Sequence, residues 1–355
     1  MDLNSYRSLG HSGLIVSPMA LGAMTFGKER WGTDEAGAGK ILDAYVEAGG
    51  NFIDTAEAYS EGRSEEIVGR YIADRNLRDR MVLATKFSWN RDPGNPNAGG
   101  NGRKNIRRAV EGSLKRLGTD YIDLYWLHFW DMVTPAEEVL DSLVELVRAG
   151  KIRYFALSDV PAWYMIKMRM LAREKGVPGP IALQLEYSLV ERTIENEHTP
   201  AALDQGMAVM PWSPLAGGFL SGKYRRSSET ARGYSGDGRL AGDNPFGNSK
   251  FNDSNWAILK ILEKIAGGMG RSPAEVALAW LLSRQGVTSL ITGASRPEQL
   301  VTNLGALQIE IPAEDATLLE KASAPALQFP YAGFNPAVKK MIFGGTSVTG
   351  WGEGK

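Results

Sequence analysis

Short runs of apolar residues alternate along the chain with segments in which apolar residues recur every three or four positions. The runs predict buried β-strands, and the periodic segments predict helices with one apolar face. The eight runs cover residues 19–24, 51–56, 81–87, 121–128, 152–158, 181–187, 208–213 and 289–294.

Eight buried strands that alternate with helices predict a parallel sheet covered on its outer face, and eight strands close a (β/α)8 barrel. A β-hairpin is expected before them, with strands at 6–9 and 14–17. The predicted fold is therefore α/β, a (β/α)8 TIM barrel with an N-terminal β-hairpin. We expect residues 1–322 to form this single catalytic domain and residues 323–355 to form a C-terminal tail or loop.

One connection, residues 224–252, is long, polar and rich in glycine and serine, which predicts a long loop after strand seven. Two other segments have helix-start patterns, Thr134-Pro135-Ala136-Glu137 and Ser272-Pro273-Ala274-Glu275. In both we expect the hydroxyl to cap the helix, proline to take the first helical position and glutamate to reach back to the cap.

The composition excludes several classes of function. The 355 residues are 43% hydrophobic, and 40 basic residues balance 41 acidic ones, so no overall field attracts nucleic acid or an anionic membrane. The chain has no cysteine and three histidines, which disfavours a metal site. It shows no signal-peptide pattern and no apolar run of membrane-spanning length. We expect a cytoplasmic protein, monomeric or homo-oligomeric, whose partner is a small molecule.

Four titratable residues follow consecutive predicted strands. Strand two ends at Asp54 and leads to Tyr59, strand three ends at Lys86, and strand four ends at His128. Each alone has an ordinary structural use, as a turn cap, a packing residue, a solvated charge or a core histidine. Because the catalytic groups of a barrel come from the C-terminal ends of its strands, the four together favour a catalytic site.

This set of residues suits acid catalysis. A phenol, with an ordinary pKa of about 10, becomes a useful proton donor when an ammonium stabilises its phenolate, and Lys86 can do this if Asp54 holds it in place. A neutral His128 could hydrogen-bond a substrate oxygen. An acid without a protein nucleophile suggests that a carbonyl oxygen is protonated while a cofactor hydride attacks the carbon.

The remaining strand ends suit a nucleotide cofactor. Ser158 and Gln184 can hydrogen-bond a nicotinamide carboxamide, and Trp212 can stack on its ring. After strand eight, a glycine-led loop brings Ser295 and Arg296 to a helix start, where anions bind. The sequence has no G-x-G-x-x-G, G-x-S-x-G or H-E-x-x-H motif, so a Rossmann dehydrogenase, an α/β-hydrolase and a zincin lack their usual signatures.

Aromatic residues at the same end of the predicted barrel suggest a substrate pocket for a hydrophobic or ring-bearing carbonyl compound. Packing in the core is an equally plausible use of any one of them. The predicted pocket residues are Phe26, Trp31, Tyr59, Trp89, His128 and Phe129.

Several segments match one known family, the aldo-keto reductase superfamily. They are NFIDTAEAYSEGRSEEIVG (51–69), ATKF (84–87), DLYWLH (123–128), ALSD (156–159), QLEYSLVER (184–192), WSPLAGGFLSGKY (212–224) and GASRPEQLVTN (293–303). The chain most resembles the branch that contains bacterial aldo-keto reductases and potassium channel β subunits.

The resemblance implies a (β/α)8 barrel enzyme that transfers a hydride reversibly from NADPH to an aldehyde or ketone. Tyr59 would be the general acid, assisted by Asp54, Lys86 and His128, and NAD(H) is the less favoured cofactor. The implied cofactor residues are Gly22, Thr25, Asp54, Ser158, Asp159, Gln184, Trp212, Ser213, Leu215, Gly217, Lys223, Gly293, Ser295, Arg296, Gln299 and Asn303.

The chain departs from the family pattern at two positions. Asp159 stands where many members have asparagine, which places an anion near the carboxamide, and Thr302 replaces a common glutamate near the adenine. Ser295 and Arg296 could hold a 2′-phosphate, which favours NADPH. Two alternatives remain: a cofactor-binding regulatory subunit with vestigial reductase activity, and a barrel hydrolase or isomerase.

Overall fold

The computed structural model of the protein describes residues 1–227, 234–241 and 248–349. In this part of the chain, most strands belong to one parallel sheet and the others form two short antiparallel pairs. The strands are β1 (Arg7–Ser8), β2 (Ile15–Val16), β3 (Met19–Gly22), β4 (Phe52–Asp54), β5 (Val82–Phe87), β6 (Ile122–Leu127), β7 (Ile152–Ser158), β8 (Ala182–Glu186), β9 (Ala208–Trp212), β10 (Arg225–Arg226), β11 (Tyr234–Ser235) and β12 (Leu290–Thr292).

The parallel sheet has eight strands in the order β12-β3-β4-β5-β6-β7-β8-β9. Its two ends meet, because the backbone of Val209 on β9 accepts a hydrogen bond from Thr288 (3.0 Å) and donates one to Gly286 (2.9 Å), just before β12. Each strand of this sheet lies within one of the eight predicted apolar runs. The predicted (β/α)8 barrel is confirmed.

Helices alternate with the strands and cover the outside of the sheet. Their apolar faces are buried, as at Ile41, Leu42 and Tyr45 of the first helix. The helices are α1 (Glu35–Glu47), α2 (Arg63–Asp74), α3 (Arg103–Leu117), α4 (Ala136–Arg148), α5 (Ala162–Glu174), α6 (His198–Asp204), α7 (Asp253–Gly268), α8 (Pro273–Leu282), α9 (Pro297–Leu304), α10 (Ala313–Ser323) and α11 (Pro336–Ile342). No helix of the described residues is long and apolar enough to cross a membrane.

The two predicted helix starts differ in outcome. Ser272 caps α8 through a complete capping box with Glu275, and Pro273 takes the first position, as predicted. The prediction at Thr134 is wrong, since Pro135 is the capping residue of α4 and no side chain caps the helix. The Thr134 hydroxyl instead donates a 2.6 Å hydrogen bond to the carboxylate of Asp131. This local hydrogen bond competes with capping of the helix.

The N-terminal hairpin closes one end of the barrel. Strand β1 pairs with β2 as predicted, and Leu9, Leu14 and Val16 belong to the apolar cluster inside the barrel. Gly10 takes a φ of 61°, and a Cβ there would lie 2.5 Å from the carbonyl oxygen of Ile181, just before β8. The hairpin therefore lies against the N-terminal ends of the strands and leaves the C-terminal ends open.

The long loop after the seventh barrel strand is partly ordered by its own aromatic residues. Strands β10 and β11 pair within it, and the rings of Tyr234 and Phe251 stack with centroids 3.7 Å apart. The remainder of the predicted loop, residues 228–233 and 242–247, lies outside the described residues.

The chain divides into two compact units, Met1–Ser323 and Ala324–Lys355. The division falls one residue after the predicted boundary. The second unit is more than an irregular tail, because its described part contains helix α11, where Asn335 caps the helix start and Pro336 follows it. Residues 350–355 of the predicted tail lie outside the described residues.

Candidate active site

The last inward-facing position of several barrel strands carries a polar or aromatic side chain. On β5, Val82 and Ala84 belong to the cluster inside the barrel, and Lys86 continues this alternation. On β6, Leu124 and Trp126 point inward, and His128 follows two residues later. Because side chains alternate between the two faces of a strand, these groups converge at one end of the barrel. The same alternation holds for Gly22, Asp54, Ser158, Gln184 and Trp212.

A cavity of about 1060 Å³ lies at this end of the barrel. Asp54, Tyr59 and His128 line it, whereas Lys86 is fully buried beneath it. Every residue predicted to bind the cofactor lines the cavity as well. The structure therefore brings together side chains that are up to about 280 residues apart in the chain, from Gly22 to Asn303.

Lys86 links the acid and the phenol at the cavity floor. Its ammonium forms an ion pair with Oδ1 of Asp54, donates a hydrogen bond to the carbonyl oxygen of Thr55 (2.8 Å), and lies 3.2 Å from the hydroxyl of Tyr59. Gln184 donates from Nε2 to the other Asp54 oxygen at 3.1 Å. The four side chains form a continuous chain of polar contacts from Tyr59 to Gln184.

Burial and charge act in opposite directions on these groups. Burial lowers the pKa of Lys86, but Asp54 and Tyr59 raise it by more, so the pKa lies above its ordinary value. Burial raises the pKa of Tyr59, and the opposing effect of Lys86 does not cancel it. Lys86 thus acts in the predicted direction, yet the hydroxyl of Tyr59 stays protonated at neutral pH. Burial also raises the pKa of Asp54, against the effect of Lys86.

His128 lies beside Tyr59 and stays neutral. Its ring meets that of Tyr59 edge-on, with centroids 5.8 Å apart, and Nδ1 is buried without a hydrogen-bond partner in the part of the protein that the structure describes. Burial, with a smaller effect from Lys86, holds the pKa of His128 well below its ordinary value. A neutral imidazole can donate a hydrogen bond to a substrate oxygen without competing with Tyr59 as the acid.

Next to this group, Ser158, Asp159 and Trp212 form one wall of the cavity. The indole nitrogen of Trp212 donates to Oδ1 of Asp159 at 3.0 Å, which fixes the indole ring. The hydroxyl of Ser158 lies 3.4 Å from the other Asp159 oxygen. The backbone of Asp159 donates to the carbonyl oxygen of Gln184 at 3.2 Å, so the wall is continuous with the cavity floor.

The cavity lining also carries cations, among them Lys223 and Arg296. Lys223 follows a turn in which Gly217 and Gly218 have φ values of 66° and 93°, a conformation that favours glycine. Arg296 is the exposed N-terminal cap of α9, and it makes no ion pair within the described residues. These two cations suit an anionic ligand such as a diphosphate.

Two of the predicted cofactor residues, Gln299 and Asn303, make hydrogen bonds within the protein. The Gln299 side chain accepts from the backbone (2.9 Å) and the hydroxyl (3.0 Å) of Ser295, and Asn303 donates to Thr292 at 3.1 Å. Gly22 lies close to β12, and a Cβ on Gly22 would come 2.8 Å from the side chain of Ile291. Because glycine has no side chain, the cavity wall is flat at this position. Hydrogen-bonding groups, an indole face and separate cations along one cavity fit a nicotinamide dinucleotide.

Aromatic side chains also line the cavity, close to His128. The ring centroid of Trp89 lies 6.0 Å from that of His128 and 5.8 Å from that of Phe129. Trp89 and Phe129 are both partly exposed. Trp31 also lines the cavity. Phe26 does not, because the chain turns after β3, with Phe26 donating to the carbonyl oxygen of Ala23, and buries the ring in the core. The prediction for Phe26 is therefore corrected.

Three charged cavity residues were missed by sequence reasoning, namely Arg30, Asp237 and Arg239. The guanidinium of Arg239 lies over the ring of Trp31 at 5.6 Å, so the described part of the long loop borders the cavity beside the aromatic residues. The position of that loop after the seventh strand was the available signal. No periodicity distinguishes one charged residue of a polar loop from its neighbours.

Comparison with known proteins agrees with this geometry. An aryl-alcohol dehydrogenase [NADP(+)] of Phanerodontia chrysosporium is 36% identical over 348 residues, which cover 94% of this chain and 89% of that protein. An uncharacterized oxidoreductase of Bacillus subtilis, YrpG, is 36% identical over 325 residues, covering 88% and 94%. A probable voltage-gated potassium channel subunit beta of Oryza sativa is 36% identical over 324 residues, covering 90% and 95%.

These relatives confirm the branch predicted from the sequence. The name of the aryl-alcohol dehydrogenase specifies NADP(+), which supports a nicotinamide cofactor. A model of the aldo/keto reductase family matches residues 18–324, which is nearly the whole barrel unit. The chain therefore belongs to the aldo/keto reductase family, whose members are oxidoreductases that act on carbonyl and alcohol groups.

Proposed function

We propose that this protein is an NADPH-dependent reductase of aryl aldehydes and ketones, with Tyr59 as general acid, and that it also catalyses the reverse oxidation of the alcohol. The observation that supports this most directly is the buried chain of contacts from Tyr59 through Lys86 and Asp54 to Gln184. All the residues concerned lie within 1–322, which we propose as the catalytic domain.

The protein's part in the reaction is to supply and control a proton. When bound, the cofactor supplies the hydride that reduces the carbonyl carbon. The Tyr59 hydroxyl gives its proton to the carbonyl oxygen, and the adjacent Lys86 ammonium stabilises the phenolate that remains. Asp54 keeps the ammonium in place, because an unpaired cation in this buried position would be strongly destabilised. In the oxidation direction, the phenolate takes the proton from the alcohol.

His128 acts as an orienting group. It is neutral and lies beside Tyr59, so that its ring can donate a hydrogen bond to the same substrate oxygen that Tyr59 protonates. Two donors directed at one oxygen restrict the approach of the carbonyl and stabilise the charge that develops on it.

Support for NADPH comes from the cations that line the cavity. We assign the diphosphate to Lys223, which lines the cavity, and a 2′-phosphate to Arg296, which lines it at the start of α9. The name of the Phanerodontia relative specifies NADP(+). We take NADP(H) as the cofactor on these two grounds.

Support for an aryl substrate comes from the aromatic mouth. Trp89 and Phe129 expose ring faces beside His128, where a planar substrate could stack while its carbonyl group reaches Tyr59. The name of the same relative, an aryl-alcohol dehydrogenase, points in this direction as well.

The test is a Tyr59→Phe variant, which removes a single hydroxyl. It should bind NADPH as the wild type does and lose about 10²- to 10⁴-fold in the rate of benzaldehyde reduction. The matched control is Tyr164→Phe, which removes a buried hydroxyl outside the cavity lining and should keep full turnover. Full activity of Tyr59→Phe would overturn the proposed role.

A second candidate is a cofactor-binding regulatory subunit with vestigial reductase activity. The similarity to a potassium channel subunit beta favours it. This role predicts slow single turnover with every aldehyde and a stable protein partner in a pull-down. Multiple turnover with any aryl aldehyde would favour the enzyme.

A further inference from the structure

Asp159 is a carboxylate in the part of the cavity where the reacting ring of the cofactor has to lie. The ring must reach a carbonyl carbon whose oxygen contacts Tyr59 and His128. Ser158, Gln184 and Trp212 border this region, and Asp159 is joined to Gln184 by a backbone hydrogen bond and to Trp212 by a side-chain hydrogen bond. When the cofactor is bound, the charge of Asp159 would therefore act on the ring at short range.

The oxidised and reduced forms of the cofactor differ in charge at that ring. Hydride transfer breaks a C–H bond of the neutral dihydronicotinamide and forms one at the carbonyl carbon, while the oxygen gains the proton of Tyr59. The ring is left as a cationic pyridinium, and Tyr59 regains its proton from solvent. A carboxylate nearby stabilises the oxidised form and the transition state that leads to it.

We propose that Asp159 makes the protein bind NADP⁺ more tightly than NADPH and thereby makes the bound NADPH a stronger hydride donor. This inference deepens the proposed function and rests on it. Asp159 becomes a residue that sets the potential of the bound cofactor, in addition to its place beside the carboxamide.

The conformation of Asp159 suits this position. Its φ is 47°, in the left-handed region, which only glycine, asparagine and aspartate adopt readily. Asparagine has the same shape and could still accept the hydrogen bond from Trp212. Asp159→Asn thus removes the charge and preserves the backbone and the indole contact.

The groups around Asp159 allow its charge to change near neutral pH. Burial raises the pKa of Asp159 to about 7, while the hydrogen bond from Trp212 lowers it and Glu186 raises it. Glu186 is itself paired with Lys250 at 2.7 Å, and Lys86 acts from the cavity floor.

Two other elements contact this region. The segment after β6 contributes an uncharged backbone group, and helix α6 contributes a histidine. The backbone of Trp130, after β6, donates to the carbonyl oxygen of Asp159 at 3.4 Å. On α6, Nε2 of His198 lies 2.9 Å from the carbonyl oxygen of Val160. The experiment therefore includes a variant of His198, so that its effect is separated from that of Asp159.

The experiment is to measure dissociation constants of NADP⁺ and NADPH separately by isothermal titration calorimetry at pH 6 and pH 8, with no substrate present. The useful quantity is the ratio of the NADPH constant to the NADP⁺ constant, in which the phosphates common to both forms cancel. For the wild type, the ratio should increase with pH as Asp159 ionises. At pH 8 Asp159→Asn should lower the ratio by about tenfold, which equals about 30 mV for a two-electron couple.

The matched control is Asp237→Asn, which removes a carboxylate elsewhere on the cavity lining, close to Lys223. It should change both dissociation constants by the same factor, because both forms carry the same diphosphate. A His198→Gln variant should retain the pH dependence of the ratio.

The outcomes separate this inference from the proposed function. If both forms bind and Asp159→Asn leaves the ratio unchanged, the inference is wrong and the proposed function stands. If neither form binds to the wild type, both are wrong. If Asp159→Asn does not fold, a wild-type ratio that is constant between pH 6 and pH 8 overturns the inference by itself.

Discussion

The ammonium nitrogen of Lys86 lies 3.2 Å from the hydroxyl oxygen of Tyr59, and the Lys86 side chain has no surface exposed to solvent. The same ammonium pairs with Asp54, whose side chain is 2% exposed. A single buried cation thus supports both the fold and the proposed chemistry. Substitutions at Lys86 have to distinguish these two roles.

Lys86→Met should abolish most turnover and destabilise the barrel. Without the ammonium, burial and the charge of Asp54 act on Tyr59 against the smaller effect of Arg239, so the pKa of Tyr59 rises further and the phenolate loses the support of Lys86. Asp54 is left buried and unpaired, which costs about 3–5 kcal/mol in the free energy of unfolding. Chemical denaturation and benzaldehyde reduction measure the two effects.

The double variant Asp54→Asn/Lys86→Met separates the two roles, because it removes both charges together. It should recover most of the lost stability while turnover stays at least about 100-fold below that of the wild type. Recovery of turnover along with stability would show that Lys86 is a structural residue only.

Much of this site could be predicted from the sequence because a barrel strand has a period of two residues. Once Val82 and Ala84 are taken as inward-facing, Lys86 must point inward too, and the same alternation places His128 after Leu124 and Trp126. The eight runs of apolar residues give the positions of the eight strands, and the C-terminal ends of these strands all lie at one end of the barrel.

The alternation ends where the strand ends, and the wrong predictions lie beyond that point. Phe26 follows a turn after β3, and Thr134 lies in a loop where Asp131 accepts its hydroxyl. The direction of the pKa shift of Tyr59 also could not be predicted, because the sequence shows which charged residues the chain contains but not how deeply a side chain is buried. Tertiary contacts determine both the position of a side chain beyond a strand end and its burial.

Glu57 should make the stability of the protein depend on pH. It is fully buried, its carboxylate oxygens have no hydrogen-bond partner within the described residues, and the nearest cation is Arg108 at 3.5 Å. Burial raises the pKa of Glu57 from 4.5 to about 7, although Arg108 opposes it. Between these two values the native state holds a proton that the unfolded chain has lost, so stability falls as the pH rises through this window.

Glu57→Gln has no such titration. It should be more stable than the wild type by about 2 kcal/mol at pH 8, and the difference should disappear near pH 4.5. Urea denaturation at several pH values measures this, with Glu174→Gln, at an exposed position of α5, as the control. A destabilised Glu57→Gln at pH 8 would contradict the assignment.

Trp89→Ala should change the selectivity for substrates. Removing the indole beside His128 and Phe129 takes away the surface on which an aryl substrate would stack, so KM for benzaldehyde should rise about tenfold. KM for propanal, which has no ring, should change little. Trp163→Ala removes an exposed indole that does not line the cavity and should leave both values unchanged. Equal effects of Trp89→Ala on the two aldehydes would argue against the stacking surface.

Arg296→Ala should lower the affinity for NADPH and leave the affinity for NADH nearly unchanged, because NADH has no 2′-phosphate for Arg296 to bind. Loss of one charge-assisted contact on an exposed helix start should raise the dissociation constant for NADPH by about tenfold. Lys223→Met provides the comparison, since a diphosphate contact is common to both cofactors and its loss should weaken both. Fluorescence titration with each cofactor measures the two constants. If Arg296→Ala weakens NADH as much as NADPH, Arg296 contacts a part that both cofactors share, and the preference for NADPH must come from another residue of the cavity.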